Sequence, residues 1–335
     1  MASDINKRIN QLRARRIGAD RLTLLDESSR REVLAKSLYG AESWEKQASN
    51  RPNTRYIAGA MAEVDAQYTR ISIETAERVG KQLRTGLTNA GLAVDVRLQG
   101  SVPLNVHIRG VSDGDLLVLD DSFFTYDKSG VLGQRGDYVS SAKNSLTVLS
   151  TLRQKSETVL KGAFPAAQVD TSGAKAINIS GGSLPRVVDV VPSHWYNTIA
   201  FQATQMEHHR GVTILNKKVP ETIDNLPFLH IKEIRDRCNA VGGSLRKAIR
   251  LCKNVRADAE SEGTDIPLPS FDIAATMYHA SMDALRIGAI YDLAILSETQ
   301  RHLDMLACNH QYAKNLLVPD GSRRIFNTQE KLIGL

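Results

Sequence analysis

Asp113 and Asp115 flank a single glycine, Gly114, immediately ahead of the apolar run Leu116-Leu117-Val118-Leu119. On an extended strand residues i and i+2 project from one face, so this spacing aims both carboxylates the same way. Two carboxylates side by side repel unless cations neutralise them, and Mg²⁺ is the usual partner where the substrate is a nucleoside triphosphate. A third carboxylate, Asp189, sits inside Arg186-Val187-Val188-Asp189-Val190-Val191-Pro192. Alternation there puts Val188 and Val190 on one face and Val187, Asp189 and Val191 on the other. A carboxylate in so apolar a strand is costly unless it is paired or binds a metal. Gly100-Ser101 falls where a strand ending at Gln99 must turn. Glycine lets backbone approach a phosphate, and the serine hydroxyl can donate to its oxygens. Singly, these features also read as an ordinary turn, a solvated Asp-Gly and a buried ion pair. Together they outline a two-metal phosphoryl-transfer site, one ion activating a hydroxyl and the other steadying a triphosphate.

The elements that must hold these residues are legible in outline. Arg51-Pro52-Asn53 breaks the charged N-terminal stretch. Ile57, Met61, Val64, Tyr68, Ile71, Val79, Leu83 and Leu87 then predict a long amphipathic helix, interrupted near Thr75-Ala76 and stopped by Asn89-Ala90-Gly91. Strands are expected at 94–98 and 116–119 and near 167–171, 175–180 and 186–191, with a helical stretch around 139–161. From about 206 to 315 the chain reads mainly as helices. Within 244–256, Leu245, Ala248, Ile249 and Cys252 make an apolar face, and Arg246, Arg250 and Lys253 a basic stripe expected to face phosphate. The pattern is α+β: a catalytic half of strands and helices followed by a C-terminal helical half. The expected division places N-terminal helices and the catalytic core in residues 1–205 and the helical domain in 206–335.

Bulk properties agree with a globular enzyme. The 335 residues are 42% hydrophobic, enough for a real core, and 43 Lys+Arg against 37 Asp+Glu leave a net +6 that suits anionic partners. Cys238, Cys252 and Cys308 form no CxxC pair, which excludes a zinc ribbon and suggests reduced thiols in a cytoplasm. No apolar run reaches the ~18 residues of a membrane span, so no membrane partner is expected. His208-His209 reads as surface histidines, and His194-Trp195-Tyr196 as aromatic packing between the two halves rather than a base pocket.

Gly100-Ser101, Asp113 with Asp115, and Asp189-Val190-Val191-Pro192 together resemble the signature of the DNA polymerase β-like nucleotidyltransferases. More closely, the chain resembles the cyclic GMP–AMP synthase-like branch, the bacterial CD-NTases of anti-phage (CBASS) signalling. The likeness extends through His209-Arg210-Gly211-Val212, Asn225-Leu226-Pro227, the 245–253 helix and Pro269-Ser270-Phe271, about residues 55–315 in all. It implies a nucleotidyltransferase palm, a mixed β-sheet with helices, plus a C-terminal helical lobe around a central cleft. It also implies that Asp113, Asp115 and Asp189 hold two Mg²⁺ ions, with Mn²⁺ as a substitute, and that Asp189 helps activate the attacking sugar hydroxyl. It further implies that Gly100 and Ser101 cradle the triphosphate, that Lys253 and Ser270 contact donor phosphates, and that Phe271 stacks on a base. Gly114 between the carboxylates and Asp272 after Phe271 depart from the commoner family residues, which bears on subfamily rather than activity. The expected function is synthesis of a cyclic di- or trinucleotide messenger from nucleoside triphosphates with release of pyrophosphate. Regulatory or effector proteins of an anti-phage operon are expected partners, and direct activation by nucleic acid is not. The alternatives are a primer-dependent RNA or tRNA nucleotidyltransferase and a catalytically silent nucleic-acid-binding sensor.

Overall fold

The computed structural model describes residues 4–19, 27, 30–31, 42–46, 50–109, 114–139 and 141–335. Its centre is a mixed sheet. Strands β1 (Val94–Gln99), β2 (Gly114–Tyr126), β3 (Gln168–Asp170), β4 (Ile177–Gly181) and β5 (Leu184–Asn197) run in the order β1-β2-β5-β4-β3. The two longest, β2 and β5, lie parallel at the middle, while β1 and β4 flank them antiparallel. Residues that alternate along a strand separate cleanly by face. Leu116, Val118, Val188 and Val190 are buried on one side with Ala76, Val79, Leu83 and Leu87 of α4 (Ala66–Asn89) and Leu152 and Leu160 of α6 (Ser145–Ala163). Each such fully buried aliphatic side chain contributes about 1.5–3 kcal/mol of transfer free energy. Leu117, Leu119, Val191 and Trp195 pack on the other side. Asp115 and Asp189 share that second face, so the carboxylates point away from α4 and α6.

Two short strands were not foreseen. β6 (Gly211–Asn216) pairs with Ser193–Tyr196 of β5, and β7 (Glu221–Asn225) pairs with β6. The expected division after residue 205 therefore cuts the sheet, whose last strand ends at Asn225. The reason is physical: β6 is a short apolar run, which periodicity alone does not distinguish from helix, and β7 is a largely exposed, polar edge.

The long helix expected from residue 57 onward is two helices. α3 (Pro52–Met61) starts with proline at its first turn, where the missing N–H costs nothing. The chain breaks at 62–65, not near Thr75-Ala76, which are buried inside α4. Asp65 decides the break: its carboxylate caps α4 by accepting from the Tyr68 amide at 3.0 Å. At the far end Gly91 takes a left-handed φ of 79° and the Leu92 amide donates to the Leu87 carbonyl at 2.9 Å.

The helical lobe is composite. Ile9 and Leu12 of α1 (Ile5–Ile17), Trp44 of α2 (Ser43–Lys46) and Tyr56, Ala60 and Met61 of α3 share one core with the C-terminal helices α8 (Pro227–Ala240), α9 (Ser244–Ser261), α10 (Ser270–Tyr278), α11 (Met282–Gly288) and α12 (Asp292–Cys308). The N-terminal helices thus pack with the end of the chain rather than with the palm. A buried polar cluster ties them there. Arg15 pairs with Asp258 and donates to Asn254 Oδ1 at 2.7 Å, and the Tyr56 hydroxyl donates to Asp258. Between β2 and α6, α5 spans Val131–Arg135, and α7 (Ile199–Thr204) follows β5. The chain ends in α13 (His310–Ala313) and α14 (Gln329–Ile333), held by Arg323 and Lys331, which both pair with the fully buried Asp272. All three cysteines are free thiols, and among the described residues no helix is long and apolar enough to cross a membrane.

Candidate active site

β1 ends at Gln99, whose register partner on β2 is Asp115. Gly100 then turns the chain with a φ of 81°, a conformation that side chains with a Cβ rarely adopt. The loop that follows folds on itself, the Val106 amide donating to the Ser101 carbonyl at 3.1 Å, and buries Val102, Leu104 and Val106. Its carbonyls need donors, and α9 supplies them. Arg246 Nε donates to the Leu104 carbonyl at 3.0 Å; Arg250 donates from Nη1 to the Asn105 carbonyl at 2.6 Å and from Nε to the Met61 carbonyl at 2.8 Å. This corrects the reading of α9 as a phosphate-facing basic stripe. Arg246 and Arg250 bind backbone, and of the three basic residues Lys253 is the one that lines the adjacent cavity.

Asp115 and Asp189 face one another as register partners across the parallel pair β2–β5. Asn178 is the partner of Asp189 on β4, and its Nδ2 donates to Asp189 Oδ1 at 3.0 Å. Burial pushes the Asp189 carboxyl above its ordinary pKa, and the single hydrogen bond from Asn178 offsets this only in part. Such an anion, desolvated and beside a second carboxylate, is a fit for a divalent cation with oxygen ligands. Asp113 precedes β2 and lies outside the described residues.

A cavity of about 290 Å³ opens beside these strands, and its lining includes Gly100, Ser101, Asp115, Lys253, Ser270 and Phe271. Residues from a turn, a strand and two helices, separated by up to 171 positions in the chain, thus meet around one space. Lys253 is almost wholly buried, and burial lowers its pKa to about 8, against the opposing pull of Asp115. A lysine of this kind keeps its charge best when an anion arrives.

The comparisons with known proteins decide the family. No protein-family profile matches the chain. The cyclic dinucleotide synthase CdnE of Yersinia aleksiciae is 43% identical over 338 residues, covering 98% of this chain and 87% of that protein. The chain is a bacterial CD-NTase. Among solved structures, the STING-associated CdnE c-di-GMP synthase of Capnocytophaga granulosa superposes with a TM-score of 0.73 at 27% identity, covering 99% of this chain and 94% of that one. The corresponding Flavobacteriaceae enzyme gives a TM-score of 0.76 at 24% identity over 100% and 95% of the two chains, a likeness of fold. This CD-NTase is accordingly a nucleotidyltransferase and a cyclic oligonucleotide synthase, and its fold is the α+β palm with a helical lobe.

Sequence reasoning missed His230. In this CD-NTase it also lines the cavity and stacks on Phe271, ring centroids 4.0 Å apart and planes 22° from parallel. Burial and the nearby Arg323 charge push its pKa down to about 3, so the ring is neutral. A lone histidine on the buried face of an amphipathic helix carries no signal that separates it from a core residue. Of the aromatics after Asp189, Trp195 packs toward the helical half, its ring centroid 5.7 Å from that of Phe228 of α8, whereas His194 is buried within the palm with Nε2 2.6 Å from Ser145 Oγ of α6.

Proposed function

We propose that this CD-NTase joins two nucleoside triphosphates into a cyclic dinucleotide, using the cavity beside Asp115 and Asp189. The observation that carries the reading is the meeting of Asp115, the Gly100-Ser101 turn and Lys253 around one space, with Asp189 beside Asp115 as its register partner on the next strand. Asp113, Asp115 and Asp189 would hold two Mg²⁺ ions. When bound, such ions supply charge neutralisation to the triphosphate and acidify the attacking hydroxyl.

The chain's own residues bind and orient. Gly100 makes the turn that borders the cavity and leaves space for the Asp115 carboxylate, and the Ser101 hydroxyl donates to a phosphate oxygen. Lys253 and Ser270 hold the donor phosphates from the helical side, and Phe271 offers the base the ring face that His230 leaves open. Asn178 fixes one oxygen of Asp189 and so the orientation of the whole carboxylate, which helps activate the attacking hydroxyl. The sugar oxygen of one nucleotide bonds to the α-phosphorus of the other as the α–β phosphoanhydride bond breaks, and pyrophosphate leaves. A second such step closes the ring. The catalytic contribution is positioning and charge complementarity.

Because two relatives are c-di-GMP synthases, GTP is the first substrate to test. The product would act on a cyclic-dinucleotide receptor, as the STING association of two structural neighbours suggests for theirs. The test is incubation of the pure protein with all four nucleoside triphosphates and Mg²⁺ or Mn²⁺, then phosphatase and mass spectrometry. A phosphatase-resistant cyclic dinucleotide supports the reading. Extension of an added RNA primer, with no cyclic product from triphosphates alone, overturns it.

A further inference from the structure

A second and larger cavity, about 460 Å³, lies behind the helices that carry Lys253 and Phe271. α9, α10 and α12 form most of its wall, and α3 adds Tyr56 and Ile57. α9 gives Lys253 to the nucleotide side, and Cys252 and Arg256 to this cavity. Likewise α10 gives Ser270, Phe271 and Ala274 to one side, and Ile273, Thr276 and Met277 to the other. Successive residues on a helix lie about 100° apart, so neighbours face different ways and one layer of helix serves both spaces. Any change on the far side that displaces α9 or α10 must move the nucleotide-side residues as well, because a packed layer is not softly deformable.

The lining is mostly apolar, with Leu251, Leu268, Leu296 and Leu303 prominent. Two polar residues in it are incompletely satisfied. Thr299 is 5% exposed, and its Oγ1 has no hydrogen-bond partner among the described residues. Arg256 pairs through Nη2 with Glu260 at 2.6 Å, while its buried Nε has no partner among the described residues. Unmet buried donors of this kind call for an acceptor. The volume falls within the range of about 300–1,000 Å³ typical of small-molecule sites. Asp304 also lines the space, which disfavours a polyanion such as a nucleotide.

We propose that this cavity is an effector site for a small molecule with a largely apolar body and one hydrogen-bond-accepting, singly anionic head directed at Arg256 and Thr299. Its occupancy is transmitted to the nucleotide cavity through α9 and α10. The transmission half rests on the functional reading above; the binding half does not.

The test uses anilinonaphthalene sulfonate as the probe, a flat apolar body with one sulfonate, titrated against the full chain by fluorescence. The expected result is saturable one-to-one binding. Leu303→Trp, which fills the cavity, weakens it by about tenfold or more, and Arg256→Gln or Thr299→Val by several-fold. Bound probe changes the initial rate of cyclic product formation, or the KM for triphosphate, by about twofold or more in wild type and leaves Leu303→Trp unaffected. Melting curves establish that each variant is folded; if Leu303→Trp does not fold, the other two carry the binding test. Absence of saturable binding, or equal binding by wild type and variants, overturns the site. Binding that responds to the variants but leaves rate and KM unchanged overturns the transmission. A chain with no synthase activity still reports on binding, so the two readings fail separately.

Discussion

Gly100 lies so close to Asp115 that a Cβ built on the glycine would stand 2.0 Å from Asp115 Oδ2. The turn and the carboxylate are therefore a single piece of geometry: only a residue with no side chain lets Asp115 keep its place. Gly100→Ala must push that carboxylate aside and also strain a φ of 81°. We expect a stability loss of about 1–2 kcal/mol by urea unfolding. Synthesis of cyclic product should fall by about a hundredfold or more, since misplacing a reacting group by an ångström costs that much. Near-normal turnover would separate Gly100 from the site.

Asp189→Asn tests the third carboxylate. It removes an anion whose charge burial disfavours, and the amide still meets Asn178 after a flip, so the melting temperature without ligand should hold or rise. Product formation should drop by about a thousandfold. Triphosphate plus Mg²⁺ should raise the melting point of wild type and not of the variant. Equal stabilisation of both would remove Asp189 from the metal set.

Lys253→Met keeps the length of the side chain and removes its charge. Because burial opposes that charge, the fold should not suffer. The expected loss is about a hundredfold in kcat/KM, with KM for triphosphate raised. Lys253→Arg should restore little, since a planar guanidinium does not fit a site shaped for a point charge.

Arg250 and Lys253 lie three residues apart on α9, yet they should behave oppositely. Arg250 is 2% exposed and hydrogen-bonds to the Met61 and Asn105 carbonyls. Arg250→Ala leaves those carbonyls unmet and should cost about 3 kcal/mol in unfolding free energy. With enough folded protein, the KM for triphosphate should change little. A large KM effect with full stability would revive a phosphate role.

Acid should destabilise this CD-NTase through buried neutral histidines. Burial lowers the pKa of His107 to about 4 and that of His230 to about 3, and it also lowers His194, His279 and His302. The unfolded chain takes up these protons near pH 6.5 while the native state does not. Stability from this source is thus fully present above 6.5 and is lost as pH falls toward 4. At pH 5 His107 alone accounts for about 2 kcal/mol. His107→Gln should flatten the fall in unfolding free energy between pH 7 and pH 5 by about that amount. An unchanged slope would mean that His107 protonates in the folded state.

The sequence by itself determined the parts of this protein that are local. Alternation along β2 and β5 is a two-residue property, so it set which face carries Asp115 and Asp189 before any partner was known. The stop at Asn89-Ala90-Gly91 and the Gly100-Ser101 turn are likewise local preferences of backbone. The tertiary structure decided what depends on distant neighbours. The basic stripe of α9 has the periodicity of a phosphate-facing surface, yet the carbonyls of Met61, Leu104 and Asn105 claim two of its three members. No pattern within α9 encodes where another loop leaves carbonyls without donors. The break at Asp65 turned on one cap outweighing continued apolar spacing. β6 needed β5 beside it to become a strand, and α1 to α3 needed the C-terminal helices to bury their apolar faces. Those outcomes follow from burial and hydrogen-bond satisfaction summed over the whole chain, which a short window of sequence does not contain.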